Sequence, residues 1–208
     1  ALSAMMVLWE GLPYRLVVIE KPVGSFSINS DVLREIEISS LDLDHSTECL
    51  GYSLYFKRNR EFDPDKALEN QVPKHLWRHL QAGQTFYMDD VSYTPDMVLG
   101  KPRPGIKFSY ITDTRPIEAI IPFIKSSRLF VCEAMYGDDL DIGKAVKNKH
   151  MTFREAANLA YKGQVDQLLL THFSPSLDSP SDYIENASSV FKNTSLAYDG
   201  INISIGYP

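Results

Sequence analysis

From Gly105 onward the chain alternates short apolar, β-branched runs with amphipathic helical stretches. Strand, helix, strand, helix, strand is the order of an α/β domain, which seats its ligands at the carboxyl ends of its strands. Ile106–Ile111 reads as a strand that ends at Thr112-Asp113-Thr114-Arg115-Pro116. Ile117–Lys125 is an apolar helical turn, and Arg128–Cys132 is the next strand, ending at Glu133. An acidic loop then leads through Lys144–Lys149 to His150. Thr152-Phe-Arg-Glu155 is a capping box that opens a helix over Phe153–Lys162, which Gly163 closes. Val165–Pro175 runs from a polar turn through Leu168-Leu169-Leu170 to Thr171-His172, a buried strand with a histidine at its end. A helix over Tyr183–Phe191 and a strand over Ser195–Ile205 complete the series.

Upstream, Ala1–Trp9 reads as the end of a helix and Tyr14–Ile19 as a strand, with a turn before Asp31–Arg34. Glu35–Asp44 and Cys49–Phe56 alternate as two strands of a hairpin with His45 at its tip. The apolar phase slips at Ser39-Ser40, which suggests a bulge. Between this hairpin and Gly105 lie nearly fifty weakly apolar residues. They hold helix candidates at Pro64–Asn70 and around Leu76–Leu80, the second stopped by Gly83. An insertion of that length is an excursion from the core, functional or disordered.

Size and charge bound the partners. The 208 residues suffice for one domain, and no apolar stretch is long enough to span a membrane. The opening ALSAMMVLW lacks the basic lead of a signal peptide, and position 1 is not Met, so the sequence is expected to be trimmed or part of a longer chain. Two cysteines, Cys49 and Cys132, make no disulfide framework and fit a reducing cytoplasm. With 21 Lys and Arg against 27 Asp and Glu, the net charge of −6 excludes a generic basic coat for nucleic acid. Positive charge does cluster locally, at Lys57, Arg58 and Arg60, at Lys74 and Arg78, and at Lys101, Arg103 and Lys107. Each cluster taken singly reads as a solvated face.

Asp113, Glu133 and His172 all follow strands, and a doubly wound sheet gathers such positions on one edge, where His150 can join them. Each has a structural alternative: a turn former, a strand-end carboxylate, a loop residue before a cap, a strand-capping imidazole. Together, one carboxylate and two histidines suit a divalent ion such as zinc, with Asp113 able to bridge two. Glu133 and His150 suit proton delivery to a leaving oxygen. No His-x-His is present, and His75-x-x-x-His79 carries Leu76 where a zinc protease has its Glu.

These residues resemble the ribonuclease Z family, tRNA 3′-processing endonucleases of the metallo-β-lactamase superfamily, over nearly the whole chain. The resemblance is carried by Lys101-Pro-Arg-Pro-Gly105 with Tyr110-Ile-Thr-Asp-Thr-Arg-Pro116, by Cys132-Glu-Ala-Met-Tyr136, by His150-Met-Thr152 with Arg154-Glu-Ala-Ala157, by Leu170-Thr-His-Phe-Ser-Pro175, and by His45 before Gly51-Tyr52. It implies an α/β, four-layer αβ/βα sandwich, here as a single partial domain over 1–208 without its N-terminal part. It implies zinc held by His45, Asp113 and His172, two ions in the complete site, with His150 and Glu133 catalytic. It implies that 57–101 is a projecting arm that grips precursor tRNA through Lys57, Arg58, Arg60, Lys74 and Arg78, and that the enzyme is a cytoplasmic homodimer with no membrane partner.

The family's His-x-His-x-Asp-His signature is absent and by order belongs before residue 1, which leaves two ligands for each zinc. The arm's Gly-Pro signature is replaced by Pro73-Lys-His-Leu-Trp77, polar family positions hold Cys132, Met135 and Met151, and Ser176-Leu177 stands for an Arg-Tyr pair. Two other functions fit the residues: a non-catalytic RNA-binding half-domain, and a hydrolase of small phosphodiesters.

Overall fold

A computed structural model describes residues 21–30, 34–88 and 90–207. The expected helix at Ala1–Trp9, the strand at Tyr14–Ile19 and the turn before Asp31–Arg34 lie outside these, in whole or in part. Among the described residues seven strands form one sheet. Strands β1 (Ser25–Ser30), β2 (Arg34–Asp42), β3 (Leu50–Arg58) and β6 (Arg103–Ile111) pair antiparallel. Strands β7 (Leu129–Glu133), β8 (Leu168–Thr171) and β9 (Thr194–Leu196) continue from β6 in parallel. The last strand is thus much shorter than its apolar pattern suggested.

One face of this sheet carries the main core. Ile111, Phe130, Cys132, Leu168 and Leu170 share that face by alternation, and all are buried. They pack on helices α3 (Ile120–Ile124), α5 (Phe153–Gly163) and α6 (Ile184–Ser188). Helix α5 forms because its apolar residues recur at Phe153, Ala156, Ala157 and Ala160, and because Thr152 and Glu155 cap it reciprocally. It runs through Gly163, and Gln164 supplies the left-handed cap at φ 52°. The glycine serves packing instead: a Cβ there would lie 2.7 Å from Ile124 Cγ1 of α3. Helix α4 (Ile142–Asn148) occupies the stretch expected to be an acidic loop. It buries only Ala145, so its apolar periodicity is faint.

The hairpin of β2 and β3 is present, but no bulge lies at Ser39-Ser40. Ser39 pairs with Ser53 and Ser40 with Tyr52 in unbroken register. The apolar phase changes because Leu41 and Leu43 pack on the helix-side core, whereas Ile36 and Ile38 share the other face. The irregularity falls between β3 and β6, where Arg58 pairs with Arg103 after Phe56 pairs with Ile106. Gly105 sits in it, and a Cβ there would lie 2.3 Å from the Phe56 carbonyl oxygen.

The excursion between β3 and β6 is not weakly apolar in effect. It has a core of its own: Ala67, Val72, Leu76, Leu80, Val98 and Leu99 are buried together. Helix α1 (Pro64–Glu69) is capped by Asp63, and a 3-10 turn at Lys74–Leu76 leads into α2 (Trp77–Gln81). A small hairpin of β4 (Phe86–Met88) and β5 (Val91–Tyr93) follows. The root is closed by Asp63 N–H donating to the Val98 carbonyl at 2.8 Å and Gly100 N–H to that of Glu61 at 2.9 Å.

Candidate active site

The strand polarity places four loops at one edge. The carboxyl ends of β2, β6, β7 and β8 all emerge there, and His45, Asp113, Glu133 and His172 follow or end them. Helix α5 starts at the same edge, because Tyr136 beyond β7 bridges to Thr152. His150 is thereby brought in, three residues before the first residue of the helix. His172 has φ +57°, an uncommon conformation for a residue with a side chain, at the point where β8 stops.

All five expected residues meet. His172 Nε2 lies 3.2 Å from Asp113 Oδ1, and His45 Nε2 lies 4.0 Å from Asp113 Oδ2. Ligand atoms of Asp113, His150 and His172 lie within 4.8 Å of one another. The His150 ring is 4.9 Å from that of His45 and 5.5 Å from that of His172, centroid to centroid. His150 Nδ1 meets Glu133 Oε1 at 2.9 Å.

Glu133 is fully buried and acts as an anchor. Besides His150, its carboxylate accepts the main-chain N–H groups of Thr114 at 2.9 Å, Met135 at 3.1 Å and Met151 at 3.4 Å. Burial pushes its carboxyl up to about 7, against the pull of those three donors. Burial likewise lowers the His150 imidazole, with Asp113 acting in the opposite sense. Burial also raises Asp113, but the Thr112 hydroxyl at 2.8 Å and the imidazoles of His172, His150 and His45 outweigh it and hold the carboxyl below its usual range. His45 Nδ1 lies 3.1 Å from the Lys149 carbonyl oxygen, and donation to that oxygen leaves Nε2 as a lone pair facing Asp113. Imidazole nitrogens around an ionised carboxylate, with the outer ring nitrogen of His45 already tied, are a donor set that fits zinc.

Sequence reasoning did not single out Thr112, Thr114, Arg115 or Lys149, which hold these groups in place. The density of hydrogen-bonding residues in Thr112-Asp-Thr-Arg115 was the available signal.

The five expected substrate-binding cations divide. Lys57 pairs with Glu37 at 2.9 Å, and Arg58 lies 4.8 Å from the Tyr207 ring centroid. Arg60 is turned inward: it donates to the Gly100 carbonyl at 2.6 Å and that of Leu99 at 3.0 Å, and pairs with Asp96. These bonds hold the excursion to its root. Lys74 and Arg78 are exposed, as are His75 and His79, so that pair is a surface feature with His79 bonded to Gln84 at 2.9 Å. Both cysteines are free, and among the described residues no helix is long and apolar enough to cross a membrane.

A sheet with this helix-covered face and this cluster of imidazoles and carboxylates at its strand ends is that of a metallo-β-lactamase fold protein. The metallo-β-lactamase fold protein YhfI from Bacillus subtilis superposes with a TM-score of 0.56 over 96% of this chain and 61% of its own, at 16% identity. Among the described residues the fold is represented by one sheet and the helical layer on one of its faces.

The chain belongs to the ribonuclease Z family. It is 61% identical to ribonuclease Z of Clostridioides difficile over 206 residues, which are 99% of this chain and 68% of that protein. It is 47% identical to ribonuclease Z of Clostridium beijerinckii over 98% of this chain and 67% of that protein. The chain thus spans about two thirds of the length of these relatives. No protein-family model matches it.

Proposed function

We propose that this chain forms the larger part of a zinc-dependent endoribonuclease that removes the 3′ trailer of precursor tRNA. The observation that carries the reading is the meeting of Asp113, His172, His45 and the His150–Glu133 pair at one sheet edge, in a chain of this family. His45, Asp113 and His172 would hold the metal, which when bound supplies Lewis acidity toward a phosphoryl oxygen. Three side chains are fewer than two catalytic zinc sites need, so these residues contribute part of the ligand set.

The protein's own groups do the rest. Asp113 stays ionised because Thr112 and three imidazoles favour its charge. Glu133 accepts three main-chain N–H groups, which fixes it as an acceptor for His150 Nδ1. With Nδ1 donating to Glu133, His150 Nε2 is turned toward the cluster, and in the protonated ring it would present a proton to a leaving ribose oxygen. Ligand-sized proximity would also admit His150 as a metal ligand. Its Nδ1 bond to the buried Glu133 favours the proton-donor role, because it fixes the ring with Nε2 turned away from that carboxylate.

The excursion serves as the arm that grips the tRNA. It leaves the sheet at the end opposite the site, one nine-residue strand away, roughly 30 Å. Its own core makes it a stiff projection, and Lys74 and Arg78 give it exposed cations. A small phosphodiester needs no such grip. The free cysteines fit the reducing cytoplasm, and the resemblance implies a homodimer.

The double variant Lys74→Glu, Arg78→Glu tests the arm. Precursor tRNA affinity is expected to fall, and the slope of log affinity against log salt to flatten by about 1 to 2, with cleavage at saturating RNA retained. An unchanged slope would remove these two residues from the RNA-binding surface.

A further inference from the structure

We propose that Arg115 is a positioning residue for His150; this rests on the reading of His150 as the proton donor. The Arg115 guanidinium donates through one nitrogen to the His150 carbonyl oxygen and to Glu155 Oε2, the latter at 3.0 Å. Its other terminal nitrogen donates to Glu155 Oε1. Glu155 in turn accepts the Thr152 main-chain N–H at 2.9 Å, as half of the capping box of α5. The Arg115 main-chain N–H donates to the Asp44 carbonyl at 3.0 Å, beside His45.

One side chain therefore ties together the loop after Asp113, the main chain of His150 and the first turn of α5. The Glu133 carboxylate sets the rotation of the imidazole and also holds the N–H side of the His150–Met151 peptide, at 3.4 Å from Met151 N. Two further bonds hold the residue's own main-chain groups: His150 N–H to the Ala145 carbonyl at 2.9 Å, and the Arg115 bond to the His150 carbonyl. The first belongs to α4, a short helix that buries a single residue. The second belongs to a half-buried, forked ion pair at the strand end that carries Asp113. A planar fork reaches a carboxylate and a carbonyl together, which a lysine ammonium on a flexible stem does not.

A purely structural ion pair and a positioning residue differ in what they do to proton delivery. The complete gene product would be assayed on precursor tRNA, whose departing ribose oxygen needs a proton, and on bis(p-nitrophenyl) phosphate, whose leaving group departs as a stable phenolate. Arg115→Lys and Arg115→Ala are expected to lower kcat on precursor tRNA by about 10- to 100-fold, with KM and zinc content unchanged. Hydrolysis of the nitrophenyl diester should stay within about twofold of the parent. His150→Ala should give the same selective loss, and a larger one. Should Arg115→Ala fail to fold, Arg115→Lys carries the comparison. Equal losses on both substrates, or no loss on tRNA, would overturn the proposal. Equal losses on both substrates for His150→Ala would overturn the proton-donor reading itself, and the proposal with it.

Discussion

Replacing Asp113 by alanine in the complete gene product is expected to abolish precursor tRNA cleavage while leaving tRNA binding largely intact. The carboxylate sits between the His172 and His45 imidazoles, 3.2 and 4.0 Å away. It is the group able to serve two ions at once, and it is held ionised by its neighbours. Removing it withdraws charge from the centre that would hold the metal, a loss of about 4 kcal/mol or more of transition-state stabilisation, roughly a thousandfold in rate. Binding is expected to survive because the excursion proposed to grip RNA leaves the sheet at its far end, and its exposed Lys74 and Arg78 do not touch this carboxylate. Single-turnover cleavage and a filter-binding titration on the same variant would separate the two. Loss of binding with cleavage of saturating RNA preserved would contradict the assignment.

Glu133→Gln is expected to damage the protein twice. The carboxylate has no exposed surface and accepts four hydrogen bonds, three of them from main-chain N–H groups. An amide offers one oxygen and turns an NH2 toward donors that have no other partner. Leaving such buried donors unsatisfied costs about 3 kcal/mol. The urea midpoint should fall accordingly, and cleavage should fall by about 100-fold because His150 loses its acceptor. An unfolding free energy within about 0.5 kcal/mol of the parent's would mean that Glu133 does not anchor these loops.

The edge proposed as the active site was readable in the sequence because its residues stand at strand ends, where polarity breaks an apolar run. Asp113 after Ile111, Glu133 closing β7 and His172 after Thr171 each carry that break. The capping box of α5 was legible for a similar local reason, since Thr152 and Glu155 need only each other. Features set by long-range packing were not. Leu41 and Leu43 turn toward a helical layer that their own strand cannot reveal, so a change of face imitated a bulge. Gly163 looked like a helix stop, whereas the demand on it comes from Ile124. The excursion's core escaped notice because Ala67, Val72, Leu80 and Val98 are scattered over short elements with no shared period. Arg115 and Lys149 passed as ordinary loop residues, since their partners at Glu155, His150, Asp44 and His45 lie on other segments.

The most direct test is to locate the metal. Crystals of the complete gene product grown with zinc, with data collected at the zinc absorption edge, should give an anomalous peak about 2.0 to 2.2 Å from a carboxylate oxygen of Asp113 and from a ring nitrogen of His172. Zinc bound only elsewhere, or no peak beside Asp113 at saturating zinc, would contradict the account.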